Sequence, residues 1–202
     1  MKVGVLASGS GTNLQAILDG VHGRDGIEVA GVGSDKRTAT ALQRARQAGV
    51  GTGIFERRAY ADREARDTAM ADWLVAKDVE LVVLAGYMQL VTPGFLARFP
   101  RGVINVHPAL LPAFPGLEAI EQGLAYGVKV FGVTVHYVDE GVDSGKIIAQ
   151  AARHLPDART RDEVHDALRP LEHELLCDVV RAIAAGRVSD DPEHPRRVVV
   201  SR

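Results

Sequence analysis

The chain of 202 residues carries 24 Lys and Arg against 26 Asp and Glu, a net charge of −2, and a single cysteine. That near balance excludes the basic footprint of a nucleic-acid binder, and the lone Cys177 excludes an internal disulfide. The length suits one domain able to bury roughly 70% of its unfolded surface without a metal or disulfide staple.

In chain order, Met1–Leu6 is a short apolar run with glycines soon after. It lacks the longer apolar region and cleavage site of a signal peptide, and no apolar segment approaches the roughly 20 residues of a membrane span. A soluble, cytoplasmic protein is expected. Strands are predicted at Lys2–Ala7, Ile27–Gly33, Val50–Phe55, Glu80–Ala85 and Gly102–Val106, with helices over Asn13–Gly20, Thr38–Ala48 and Ala61–Lys77. Leu81-Val82-Val83-Leu84-Ala85 is apolar on both faces, as a central parallel strand must be.

The pattern then changes. Val130–Val138 and Lys146–Leu155 are strand-like runs joined only by the loop Asp139–Gly145, so an antiparallel hairpin is expected. Thr160–Gly186 is helical, with the stripe Val164, Leu168, Leu171, Leu175, Val179 and Ile183, and Pro170 should kink or split it. Cys177 sits in an apolar run and reads as a buried, inert thiol. From Ser189 the chain is a polar tail in which only Val198–Val200 could add a strand. The fold class expected is α/β: an open, mostly parallel, Rossmann-like twisted sheet with helices on both faces, an antiparallel hairpin near 130–155 and a C-terminal helix. Residues 1–188 would form one catalytic domain and 189–202 a tail.

Between the first strand and first helix lies Ala7-Ser8-Gly9-Ser10-Gly11-Thr12-Asn13. Glycines let backbone approach a ligand, and a helix N-terminus offers N–H groups to an anion. The loop is neither the dinucleotide fingerprint, which needs a third glycine, nor a P-loop, which needs a following Gly-Lys-Ser/Thr. It reads as a phosphate site or as a ligand-free turn capped by Thr12 or Asn13.

Asn105-Val106-His107-Pro108 is the other informative run. On a strand Asn105 and His107 point the same way. Asn can donate to an oxyanion, and His can move a proton near neutral pH. Pro108 biases His107 toward extended backbone. Downstream, Asp139, Glu140 and Asp143 lie in a glycine-flanked loop. They form a solvated surface loop, or Asp143 folds back to support the imidazolium of His107. His136 reads as a packed strand residue, and the remaining histidines show no metal-ligand spacing.

Taken together, these runs resemble the phosphoribosylglycinamide formyltransferases, folate-dependent enzymes of purine synthesis. The resemblance spans Met1 to about Gly186 and rests on five segments: Ser8–Ala16, Arg44-Ala45-Arg46-Gln47-Ala48-Gly49, Val83–Met88, Asn105–Gly116 and Val142–Gly145. It implies the formyltransferase fold, with 10-formyltetrahydrofolate as donor, glycinamide ribonucleotide as acceptor, and no metal. Catalysis falls to Asn105, His107 and Asp143. Gly11, Thr12, Asn13, Arg169 and Glu172 would bind the ribonucleotide. Arg63, Met88, Gln89, Leu90, Val91, Val138, Asp139, Glu140 and Gly141 would bind the folate. Phosphate binding would lie in the N-terminal half and folate binding in the C-terminal half. The partners implied are small molecules, with no nucleic acid and no membrane, and the protein itself a monomer or weak homodimer. Two departures stand out: Ala109 where a serine is common and Gln89 where an arginine is common.

Two other functions fit parts of the sequence. A 10-formyltetrahydrofolate hydrolase would use the same three residues with water as acceptor, and its relatives carry an amino-terminal regulatory domain. A non-catalytic phosphate-ligand module would use the glycine loop but leave Asn105, His107 and Asp143 without a task.

Overall fold

Short β-branched runs alternate with amphipathic segments through the first half of the chain in the computed structural model, which describes residues 1–99 and 101–201. The first compact unit, Met1–Asn105, contains β1 (Lys2–Leu6), α1 (Thr12–Gly20), β2 (Glu28–Ser34), α2 (Thr40–Gln47) and β3 (Thr52–Ile54). A 3₁₀ turn at Arg57–Ala59, α3 (Arg63–Val75), β4 (Leu81–Leu84) and α4 (Pro93–Leu96) follow. Strand β5 (Val103–His107) carries the boundary. The second unit, Val106–Arg202, holds α5 (Ala119–Tyr126), β6 (Val130–Tyr137), β7 (Ile147–His154), α6 (Arg161–Ala184), β8 (Val188–Asp190) and β9 (Val198–Val200).

The main sheet has seven strands in the order β3-β2-β1-β4-β5-β6-β7. Strands β1 to β5 pair in parallel, and β6 and β7 are antiparallel. All four residues of β4 are buried, as a strand covered on both faces requires. Strand order switches direction at β1 and β4, so ligands are expected beyond their carboxyl ends. Those ends run into the glycine loop and Gly86–Met88.

Several expectations need correction. Pro170 does not split its helix: α6 runs unbroken from Arg161 to Ala184. The proline removes one backbone donor, and a long buried face on the same helix outweighs that loss. The buried stripe also differs. Leu171 and Leu175 are only half-buried, while Glu172, Leu176 and Val180 turn inward with Val164, Leu168, Val179 and Ile183. After Leu168 the buried row continues by i+4 to Glu172, Leu176 and Val180, where a single i+3 step to Leu171 is expected from the sequence, and it takes a carboxylate into the packed face. In the tail Val198–Val200 forms the one strand the sequence allowed, and the unforeseen β8 pairs with it as a two-stranded antiparallel hairpin.

Helices α4 and α5 were not foreseen. The Thr-Pro pair at 92–93 is a readable start signal, with the Thr92 hydroxyl accepting the Phe95 N–H and Pro93 opening the helix. The N-cap of α5, Glu118, is left-handed with no side-chain cap, so its sequence carries no such signal. At the start of α6 Thr160 and Glu163 form a reciprocal capping box. Cys177 is buried and forms no disulfide. Among the described residues no helix is long and apolar enough to cross a membrane.

Candidate active site

His107 ends β5 and is 4% exposed. Its Nδ1 lies 3.3 Å from Asp143 Oδ2, and its Nε2 lies 2.8 Å from the carbonyl oxygen of Phe114. Both neighbours are acceptors, so the ring satisfies both only when each nitrogen carries a hydrogen. Asn105 is half-buried on the same strand and, two residues back, projects to the same side.

Asp143 is the hub of this unit. Its Oδ2 also accepts the Gly116 N–H at 2.8 Å, and its Oδ1 lies 3.5 Å from His136 Nε2. Burial alone would raise its carboxyl. Hydrogen bonding from His136 and Gly116, with the charges of His107 and His136, outweighs that and holds it below the ordinary carboxylate value. Phe114 and Asp143 both sit in the left-handed region, at φ 55° and 50°. Aspartate tolerates this conformation, whereas for an aromatic residue it costs of order 1–3 kcal/mol. Both residues contact His107, so the backbone distortion is concentrated on the catalytic candidate.

Sequence reasoning missed His136 as part of this cluster. It follows a register slip in the β6–β7 pairing, from Val135↔Ala149 to His136↔Ile147, and such irregularities re-aim side chains. Its Nδ1 lies 2.8 Å from the Tyr137 carbonyl. The available signal was Thr134, on the same face two residues earlier, whose hydroxyl donates to the Ala109 carbonyl and accepts the Leu111 N–H. Two polar residues in alternation on an otherwise apolar strand mark a functional face.

The loop after β6 closes on itself. Asp139 Oδ1 accepts the Gly141 N–H at 3.1 Å and the Ser144 hydroxyl at 2.7 Å. Gly145 lies against the Tyr137 carbonyl so closely that no side chain could replace its hydrogen. Lys146 pairs with Asp190 at 2.8 Å, and Arg196 Nη2 donates to the Ser144 carbonyl at 2.7 Å. The C-terminal hairpin thus holds the chain just after Asp143, at Ser144 and Lys146.

On α6, Arg169 Nη2 donates to Asp166 at 2.7 Å, and Nη2 also approaches His165 Nδ1 at 3.2 Å. Arg169 Nε and His173 Nε2 are buried without a hydrogen-bond partner, and Glu172 is buried beside them in sequence. Burial, helped by the charges of Arg169 and His165, lowers the His173 pKa against the opposing pull of Glu172.

In the first unit, Gly11 adopts φ 72° and caps α1, which begins at Thr12 and Asn13. The loop is joined to the end of β4: the Ser8 N–H donates to the Gly86 carbonyl at 3.0 Å, and the Ser8 hydroxyl accepts the Met88 N–H at 2.9 Å. Met88 and Leu90 expose 56% and 55% of their surface, while Val91 is buried.

A second pair missed at the level of sequence holds this segment. Arg66 and Asp67, at 2% and 0% side-chain exposure, meet at 2.7 Å. Arg66 donates to the Leu90 carbonyl at 3.2 Å and to Gln89 Oε1 at 3.4 Å, and Asp67 accepts the Thr92 N–H at 2.7 Å. A buried ion pair survives only when its remaining hydrogen-bonding capacity is used, and the strip 89–92 uses it here. Arg63 opens α3 and is exposed. Among the described residues, no group of three or more His, Cys, Asp or Glu is placed to hold a metal ion.

The parallel half-sheet, the glycine loop at its switch and the contact of His107 with Asp143 fit a formyl transferase, and the model of that family matches residues 1–180. The chain is 38% identical over 183 residues to the phosphoribosylglycinamide formyltransferase of Bacillus subtilis, covering 90% of this chain and 94% of that one. It is 40% identical over 185 residues to the enzyme of the same name from Mycobacterium tuberculosis, covering 92% and 86%. The crystal structure of glycinamide ribonucleotide transformylase 1 from Symbiobacterium toebii matches with a TM-score of 0.94 at 48% identity, covering 99% of this chain and 93% of that one. The chain belongs to the formyl transferase family, among its phosphoribosylglycinamide formyltransferases, and is a transferase.

Proposed function

We propose that the protein transfers the formyl group of 10-formyltetrahydrofolate to the amine of 5′-phosphoribosylglycinamide, giving the N-formyl product and tetrahydrofolate in purine biosynthesis. The observation that carries this reading is the double engagement of His107 by Asp143 and the Phe114 carbonyl on a strand that also bears Asn105.

The free amine attacks the formyl carbon, and the carbonyl oxygen becomes an oxyanion. Asn105 donates to it. The His107 Nε2–H exchanges the neutral Phe114 carbonyl for this charged acceptor, a stronger hydrogen bond. Asp143 keeps the imidazolium oriented and takes the amine proton, directly or through water. The tetrahedral intermediate collapses as the C–N bond to folate breaks, and the departing nitrogen takes a proton from His107.

We assign the ribonucleotide phosphate to Gly11, Thr12 and Asn13, and further ribonucleotide contacts to Arg169 and Glu172. The buried Arg169 Nε supports the latter assignment, since a buried donor calls for an acceptor. Met88, Gln89, Leu90 and Val91 in the first unit, and Val138, Asp139, Glu140 and Gly141 in the second, are assigned to the folate. Arg63 is assigned to its glutamate tail. The exposed apolar side chains of Met88 and Leu90 suit a flat heteroaromatic partner.

The test follows folate absorbance as purified protein meets 10-formyltetrahydrofolate with and without the ribonucleotide. Deformylation that requires the ribonucleotide is the expected result. Formate release in its absence would make the protein a hydrolase, and ribonucleotide binding without turnover would leave only a binding module.

A further inference from the structure

The run Arg44–Gly49 carries part of the sequence resemblance, yet none of its side chains enters the reaction. Arg44 stands on α2 and is half-buried. Its Nε donates to the Ser10 carbonyl at 2.8 Å, and its Nη1 donates to Gln15 Oε1 at 3.0 Å. Gln15, on α1, donates from its own amide nitrogen to Asp19 at 2.9 Å. Near the start of α2 the Ala41 N–H donates to the Gly9 carbonyl at 3.1 Å. Helix α2 therefore holds two successive carbonyls of the glycine loop.

In a trans peptide the C=O and the following N–H point in opposite directions. Fixing the Gly9 and Ser10 carbonyls against α2 turns the N–H groups of Ser10 and Gly11 away from it. Gly11 then leads into α1, whose first intrahelical bond runs from the Gln15 N–H to the Gly11 carbonyl. The N–H groups ahead of that bond have no partner within the helix. Successive outward N–H groups at a helix start make the concave donor array that binds phosphate. Gly11 also packs closely on α2: a side chain there would meet Ala41 Cβ at 2.7 Å.

We propose that Arg44 is a positioning residue for the ribonucleotide phosphate. Its guanidinium fixes the Ser10–Gly11 peptide so that the N–H faces the anion, and it places a permanent positive charge behind the loop. The inference rests on the assignment of Gly11, Thr12 and Asn13 to that phosphate.

The experiment measures kcat and KM for glycinamide ribonucleotide and for its 5′-dephosphorylated riboside in wild type, R44Q and R44K, with thermal unfolding recorded for each. R44Q should raise KM for the ribonucleotide roughly 10- to 100-fold, the worth of a hydrogen bond to a charged group, while KM for the riboside and for 10-formyltetrahydrofolate stays within about twofold. R44K, which keeps the charge and one donor, should recover part of the loss. An R44Q enzyme with the wild-type preference for ribonucleotide over riboside would overturn the proposal. So would a loss falling equally on both acceptors, as a loosened fold would give. A wild-type enzyme indifferent to the 5′-phosphate would overturn the assignment of the loop itself, and the role of Arg44 with it.

Discussion

Asp143 receives two imidazoles and a backbone N–H in place of water, and its depressed pKa links the site to stability. Because its folded pKa lies below the unfolded value of about 3.9, its contribution is fully present above that value and is lost as pH falls through the folded pKa. Urea midpoints for wild type and Asp143→Asn should therefore differ at pH 6 and converge toward pH 3; a constant gap would mean that the carboxylate's charge is not what the cluster uses. Asn105 makes a different kind of contribution. If its amide meets the oxyanion, Asn105→Ala should lower kcat by roughly 10²–10³ with little change in either KM. Near-normal single-turnover rates in that variant would remove Asn105 from the mechanism.

The β8–β9 hairpin shows how an element far along the chain serves a single carboxylate. Through Arg196 on Ser144 and Asp190 on Lys146 it grips the chain immediately after Asp143. A chain ending at Arg187 should keep its far-UV circular dichroism while turnover drops roughly 10- to 100-fold, the usual consequence of a catalytic group displaced by about 1 Å. Full activity after truncation would show that the loop holds its own shape. Sequence reading treated this region as a tail because three valines form a strand only when a partner is supplied, and β8 has no apolar pattern of its own. The same limit applied elsewhere. Strands β1, β4 and β5 were legible from β-branched runs, and His107 from residue type and its place at a strand end, whereas Asp143 read equally as part of a solvated loop until the resemblance gave it a role. His136, Arg66 and Asp67 were not, since a histidine on an apolar strand, or two charges within the charged run 62–67, has the same local signature whether or not it meets a tertiary partner. Glu172 was placed in the site only through the resemblance, and its burial depends on which row of α6 turns inward.

At the scale of the whole molecule, a strand order that switches at β1 and β4 sends two chain segments out at neighbouring carboxyl ends, the glycine loop and Gly86–Met88. The Ser8 hydroxyl joins them by accepting the Met88 N–H. One segment is assigned to the ribonucleotide and the other to the folate, so ordering either by its ligand also sets the other. The two substrates should then bind cooperatively, and thermodynamic reciprocity requires each to tighten the other by the same factor. Calorimetry with a non-transferable folate analogue would measure that factor from both directions. In Ser8→Ala it should shrink equally in each direction, by up to about fivefold for one lost hydrogen bond of ~1 kcal/mol. A factor unmoved by that substitution would mean that the substrates communicate by some other route. A single buried hydroxyl would thus make each substrate the allosteric activator of the other, favouring the ternary complex over either half-filled enzyme.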